Sequence, residues 1–140
     1  MYCNKCGNIS PDGTPYCANC GASMAQPKES VGILEATKLY FTRYADFKGR
    51  SRRSEYWWAS LTIAILGSII TAILGDFAGI WTLVTLVPSI AICVRRLHDV
   101  GKSGWWYLIG LVPLVGMILL IIWFCKDSTE DNQWGPNPKY

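Results

Sequence analysis

The sequence predicts an all-α membrane domain of three transmembrane helices, preceded by an interfacial amphipathic helix and by a small cysteine-built N-terminal module. Three observations carry this. About half of the 140 residues are apolar (51%), and nearly all the strongly apolar sequence falls in three blocks after Glu55. Those blocks are free of charge: Tyr56–Gly75, Phe77–Val94 and Ser103–Cys125. A soluble domain intersperses charges at the helical or strand period to coat its surface. The polar N-terminal stretch holds four of the six cysteines in one spaced pattern.

That pattern comes first in the chain, in residues 1–22. It reads Cys3-Asn-Lys-Cys6-Gly7 and, after nine further residues, Cys17-Ala-Asn-Cys20-Gly21. Two thiols two residues apart converge on one ion when the chain turns tightly between them, and Gly7 and Gly21 accept the positive φ of such a turn. Four sulfurs make a closed tetrahedral site, so Cys3, Cys6, Cys17 and Cys20 are the expected ligands of a structural Zn2+ in a zinc ribbon. The segment has almost no apolar side chains beyond Tyr2, Ile9 and Tyr16, so metal binding must supply its folding energy. Two disulfides are the alternative, and they require an N-terminus outside the reducing cytosol. A closed site has no open coordination position for catalysis. It implies a grip on a protein partner or a role in assembly. Lys5 is the only basic residue among the first 27, too little for a phosphate-backbone footprint, so nucleic acid is not an expected partner. Asn8-Ile9-Ser10 matches a glycosylation sequon by chance between metal ligands.

Residues 23–32 read as a polar linker, with Ser30 placed to cap the next helix. Residues 33–54 form an amphipathic and basic juxtamembrane segment. Apolar residues at 33, 36, 40, 44 and 47 mark one helical face. Two readings stay open: the aromatics Tyr40, Phe41, Tyr44 and Phe47 dip into lipid headgroups, or the helix packs on the membrane domain. Lys48, Arg50, Arg52 and Arg53 then precede the first apolar block. Glu55, at its mouth, is expected to pair with one of these arginines.

Residues 55–126 form the three-span membrane domain. A helix needs about 20 residues to cross the hydrocarbon layer. Tyr56–Leu74, Phe77–Val94 and Gly104–Cys125 meet that requirement, the second at the short end of the range. Asp76 cannot sit cheaply in lipid, so it marks a tight turn at the far face. Pro88 and Pro113 fall inside the second and third spans, where each frees a carbonyl and permits a kink. The positive-inside rule orients the spans. The basic run before the first span and the loop carrying Arg95, Arg96 and Lys102 stay in the cytosol, and the hairpin at Asp76 lies outside. With three spans, the slightly acidic tail 127–140 ends outside, with Trp134 near the outer interface. The cysteine module is then cytosolic, where thiolates stay reduced. The N-terminus, Met1-Tyr2-Cys3-Asn4-Lys5, lacks the apolar core of a secretory signal, so the first span is expected to do the targeting. The expected partners are the bilayer, anionic headgroups near Arg50, Arg52, Arg53, Arg95 and Arg96, a protein bound through the zinc ribbon, and further copies of the chain.

His98 beside Asp99, in the loop between spans two and three, invites a general-base reading. No second carboxylate, nucleophile elbow or metal set accompanies the pair. The plainer reading is a loop in which arginines meet Glu55, Asp99 and lipid phosphate. Gly101-Lys102-Ser103 resembles the end of a phosphate loop, but Arg96 stands where that loop needs glycine. No ionisable residue lies mid-membrane, which argues against a proton-coupled carrier. The expected function is that of a non-enzymatic membrane protein with a cytosolic zinc-binding module for protein interaction or assembly. The alternatives are an oligomeric small-solute transporter or channel and a membrane enzyme using His98 and Asp99.

Three runs together resemble a known family. They are Phe47-x-Gly49-Arg50-x-Arg52-Arg53-x-Glu55-Tyr56-Trp57-Trp58, Arg95-Arg96-Leu97-His98-Asp99-x-Gly101-x-Ser103-Gly104-Trp105-Trp106 and Asn132-x-Trp134-Gly135-Pro136-Asn137-Pro138. From about Leu34 to Pro138 the chain resembles the DUF805 family of small bacterial inner-membrane proteins of uncharacterised function. The first 21 residues resemble the zinc-ribbon module fused to many bacterial membrane proteins. The resemblance implies a bacterial plasma membrane, a helical domain and no assigned activity. It supplies no catalytic residue.

Overall fold

The computed structural model describes residues 2–3, 5–11, 14, 16–22, 24, 28–75 and 78–139. It divides into two compact units, Met1–Glu29 with Lys139–Tyr140, and Ser30–Pro138. Among the described residues the named elements are all helical, and isolated antiparallel bridges join Tyr2 to Ile9 and Asn132 to Gly135.

The second unit is built from α1 (Ile33–Thr42), α2 (Arg53–Leu74), α3 (Ala78–Asp99), a 3-10 helix (Gly104–Leu111) and α4 (Val115–Cys125). The helices α2 and α3, at 22 residues each, are long and apolar enough to cross a membrane, over Arg53–Leu74 and Gly79–Asp99. The far-face turn expected at Asp76 and the span start expected at Phe77 lie outside the described residues. Gly75, just before them, closes α2 by donating its N–H to the Thr71 carbonyl.

The amphipathic helix is shorter than its periodicity suggested, and it is packed against the domain. Ala36 and Tyr40 are buried against Ala59 of α2 and Ile92 of α3. Tyr40 of α1 and Tyr44, just after it, also serve the proline in α3. Pro88 has no N–H, so the carbonyl of Val84 loses its helical donor. The Tyr44 hydroxyl donates to that carbonyl at 2.6 Å. The Tyr40 hydroxyl lies 3.0 Å from the Thr85 carbonyl and 2.7 Å from the Ser89 hydroxyl. α3 therefore runs through Pro88 without breaking.

The third apolar block is not one continuous helix, unlike the single span expected for it. It folds back on itself as a hairpin, a 3-10 arm and an α-helical arm joined at Val112–Leu114. Pro113 causes the break. It pushes the preceding residue to an extended conformation, and Val112 has ψ 109°. Leu114 adopts φ 63°, the only non-glycine residue with positive φ among those described. The arms close because residue 116 is glycine: a Cβ built there overlaps the Ile109 carbonyl. Arms of 8 and 11 residues rise about 16 Å each, half of what a crossing needs.

The hairpin returns the chain to the end it left. Arg96, near the end of α3, donates to the carbonyls of Phe124 at 3.1 Å and of Lys126. Arg50, just before α2, donates to the carbonyls of Glu130 and Gly135 at 2.9 and 3.0 Å. The tail therefore lies at the same end of the domain as the basic segments, not at the opposite one. Trp134 correspondingly stacks on His98, with ring centroids 4.6 Å apart, and does not mark an outer interface.

Candidate metal centre and buried arginine cluster

In the first unit the two cysteine pairs adopt the same local geometry. The Gly7 N–H donates to the Cys3 carbonyl at 2.9 Å, and the Gly21 N–H to the Cys17 carbonyl at 2.8 Å. Both turns close through glycine at φ 71° and 67°. Each turn aims backbone N–H groups at its first sulfur. The N–H groups of Cys20 and then Asn19 draw the Cys17 thiol down from 9.0 to about 6. Those of Lys5 and Cys6 lower Cys3 in the same way. Ser10, buried, adds its hydroxyl to Cys17, a contribution the sequence pattern did not reveal.

The four sulfurs all lie within 4.8 Å of one another. The Cys3 and Cys20 sulfurs are 3.5 Å apart, and those of Cys6 and Cys17 are 3.7 Å apart. A tetrahedron of thiolates around a metal at about 2.3 Å has edges of about 3.8 Å. The donor set, its spacing and its N–H···S support fit a closed four-thiolate site. Such a site offers a metal no open position, so the chemistry available here is structural.

The second unit contains a buried polar cluster where the three distinctive sequence runs meet. Arg50 joins all three. Its Nε donates to Asp99 Oδ1 at 3.1 Å and its Nη2 to the Thr129 carbonyl at 2.6 Å, besides the two tail carbonyls above. Asp99 is wholly buried between Arg50 and Arg96 and accepts the Ser128 hydroxyl at 2.7 Å. Arg95 donates to the Ser51 hydroxyl at 2.9 Å and to the carbonyls of Arg43 and Asp46 at 3.0 and 2.7 Å. Ser51 in turn donates to Glu55 at 2.8 Å. The Asn132 side chain donates to the His98 carbonyl at 2.9 Å, and His98 Nδ1 faces the Gly49 carbonyl at 3.2 Å.

Two arginines from outside the neighbouring basic run reach Glu55. Its Oε1 lies 3.8 Å from Arg95 and 3.9 Å from Arg43. Four of the five arginines expected near lipid headgroups are inside the protein: Arg50 and Arg52 are 6% and 7% exposed, and Arg95 and Arg96 are fully buried. Arg53 remains at the surface. Burying Arg50, Arg95 and Arg96 with the two carboxylates of Glu55 and Asp99 is tolerable because main-chain carbonyls take up many of their other N–H groups. His98 and Asp99 are both engaged in these contacts, so the pair acts here as a structural joint. Sequence reasoning missed Ser51, which falls at an unassigned position of the first run, and Ser128 and Thr129, which lie outside all three; their common residue types carry no signal.

Two helices long and apolar enough to cross a membrane, closed at one end by a buried ionic cluster, are the architecture expected of a small helical membrane protein. The chain belongs to the family described as "Protein of unknown function (DUF805)", whose model matches residues 44–136. The inner membrane protein YhaI of Escherichia coli (strain K12) is 39% identical over 105 residues, covering 69% of this chain and 89% of that protein. The inner membrane protein YhaH of the same organism is 33% identical over 109 residues, with the same coverage. The uncharacterized protein YiiR of that strain is 38% identical over 72 residues, 47% of this chain and 49% of its own length. No solved structure matches. The names give a location and no activity, and the four cysteines lie outside the residues that match the family.

Proposed function

We propose that the chain is a non-enzymatic protein of the bacterial inner membrane whose N-terminal module holds one zinc ion on Cys3, Cys6, Cys17 and Cys20 and docks a cytosolic protein. One observation carries the reading: four sulfurs within 4.8 Å of one another, on a chain whose remainder is a membrane domain. Zinc bound there supplies folding energy and no reactive position. The positive-inside rule places the basic segments 48–53 and 95–102 in the cytosol, together with the chain that precedes them. The tail shares the end of the domain that carries those segments, so the same rule assigns it to the cytosol.

Affinity capture from solubilised membranes tests the reading, using the full chain and its Cys17→Ser variant. The expected result is a protein retained by the parent and lost with the variant while both remain in the membrane fraction. Equal capture by both forms contradicts the docking role. A parent protein purified without metal contradicts the zinc assignment.

A further inference from the structure

Burial in the membrane domain is confined to one end. In α2 the buried residues are Glu55 and Ala59, both in its first two turns. In α3 burial begins at Thr85 and is complete from Arg95 to Asp99. Within this unit, α1 and the hairpin pack against this end. α1 reaches it through Ala36 and Tyr40. The hairpin reaches it through Leu120 and Phe124, which pack on Leu97. At the other end, among the described residues of this unit, only α2 and α3 remain, meeting where Trp81 approaches Gly67. There Ile69, Ile73, Ile80 and Leu83 are 49%, 74%, 63% and 69% exposed.

The lengths turn this gradient into a shape. The 22 residues of α2 rise about 33 Å, matching a hydrocarbon layer of about 30 Å. The hairpin arms rise about half of that. One leaflet therefore holds α2, α3, both hairpin arms and the packed face of α1. The other holds α2 and α3 alone. Each helix with its side chains is about 10 Å across, so the difference in cross-section is large.

We propose that the membrane domain is a wedge that concentrates in curved bilayer, with the leaflet around the arginine cluster on the convex side. Inserting the wide half expands one leaflet against the other, and a bilayer convex on that side relieves the mismatch. Acyl chains, and not a second copy, cover the thin half. Its large exposed side chains are aliphatic, and two of its hydroxyls are used within their own helix. Ser68 donates to the Ala64 carbonyl and Thr71 to the Gly67 carbonyl, both at 2.8 Å. Helix pairs in lipid associate through small residues and cross-helix hydrogen bonds. Gly67, the small residue that faces α3, is already covered by Trp81.

The proposal rests on the membrane reading above, and one experiment separates the two. The purified full chain is reconstituted into vesicles spanning a wide range of diameters, and its density per lipid area is read vesicle by vesicle. The expected result is a several-fold higher density on the smallest vesicles, with the tail cleaved there by added protease because it faces outward. Equal density at all diameters in carbonate-resistant, inserted protein overturns the wedge and leaves the membrane reading standing. Removal of the protein by carbonate overturns both. A second variant, Pro113→Leu with Gly116→Leu, removes the break and the close approach that fold the hairpin. The diameter dependence is expected to fall. Full dependence in a variant whose tail has moved to the other face overturns the hairpin as its source.

Discussion

Arg50 and Asp99 stand 49 positions apart in sequence and meet in a buried ion pair, with Arg50 Nε 3.1 Å and Nη2 3.0 Å from Asp99 Oδ1. The same guanidinium holds three tail carbonyls, so the pair ties the entry to α2, the end of α3 and the C-terminal segment together. Removing one partner of such a pair leaves a buried charge without compensation and costs about 3–5 kcal/mol. Arg50→Ala is expected to lower the thermal midpoint in detergent and to expose the chain after Lys126 to protease. Arg50→Lys is expected to fail almost as badly, because an ammonium cannot fork between Asp99 and the carbonyls. A lysine variant with parental stability and a protected tail would show that charge alone suffices.

Gly116 is expected to be intolerant of the smallest side chain. A methyl there overlaps the Ile109 carbonyl, which is main chain and cannot rotate away. Gly116→Ala should loosen the hairpin and release Arg96 from the carbonyls of Phe124 and Lys126. Gly79→Ala is the control, since a methyl at that position meets nothing within 4 Å. Hydrogen exchange over residues 104–126 should rise for the first variant and stay unchanged for the second.

The Tyr44 hydroxyl and Pro88 are predicted to be energetically coupled. Tyr44→Phe leaves the Val84 carbonyl without a donor and should cost about 1–3 kcal/mol. Pro88→Ala restores a main-chain N–H that can serve the same carbonyl. In that background the cost of Tyr44→Phe should shrink, and a double-mutant cycle on unfolding in detergent measures the difference. Additive effects would show that the hydroxyl does not replace the missing donor.

Metal content distinguishes the cysteines. The parent is expected to carry one zinc per chain, and Cys17→Ser to lose it. Cys93→Ser and Cys125→Ser should retain it, since neither sulfur belongs to the four-sulfur cluster. Loss of metal in the Cys125 variant would redraw the ligand set.

Much of this molecule was legible before its structure, and the misses share a cause. Charge-free blocks and repeated Cys-x2-Cys-Gly units are local patterns, so they pointed directly to α2, α3 and the four sulfurs. The hairpin was not legible because hydropathy is the same for a straight apolar block and a folded one. Pro113 and Gly116 were visible, but nothing local told a kink from a reversal. For Glu55 the neighbouring basic run was the visible source of a partner, and Arg95 reaches it from the far end of α3. The buried arginines satisfy themselves largely on main-chain carbonyls, which every residue carries and no pattern marks. An arginine beside a membrane thus reads as lipid-facing until the fold shows what surrounds it.

The third apolar block is expected to reverse within the membrane, which puts the tail on the same face as the segment before α2. A protease site placed in the linker at residue 28 and another after Pro138 test this in sealed inverted vesicles and in intact spheroplasts. Cleavage of both sites in the vesicles, and protection of both in spheroplasts, is the predicted result. One site cut while the other is protected from the same side would mean a third complete span, and would contradict the account.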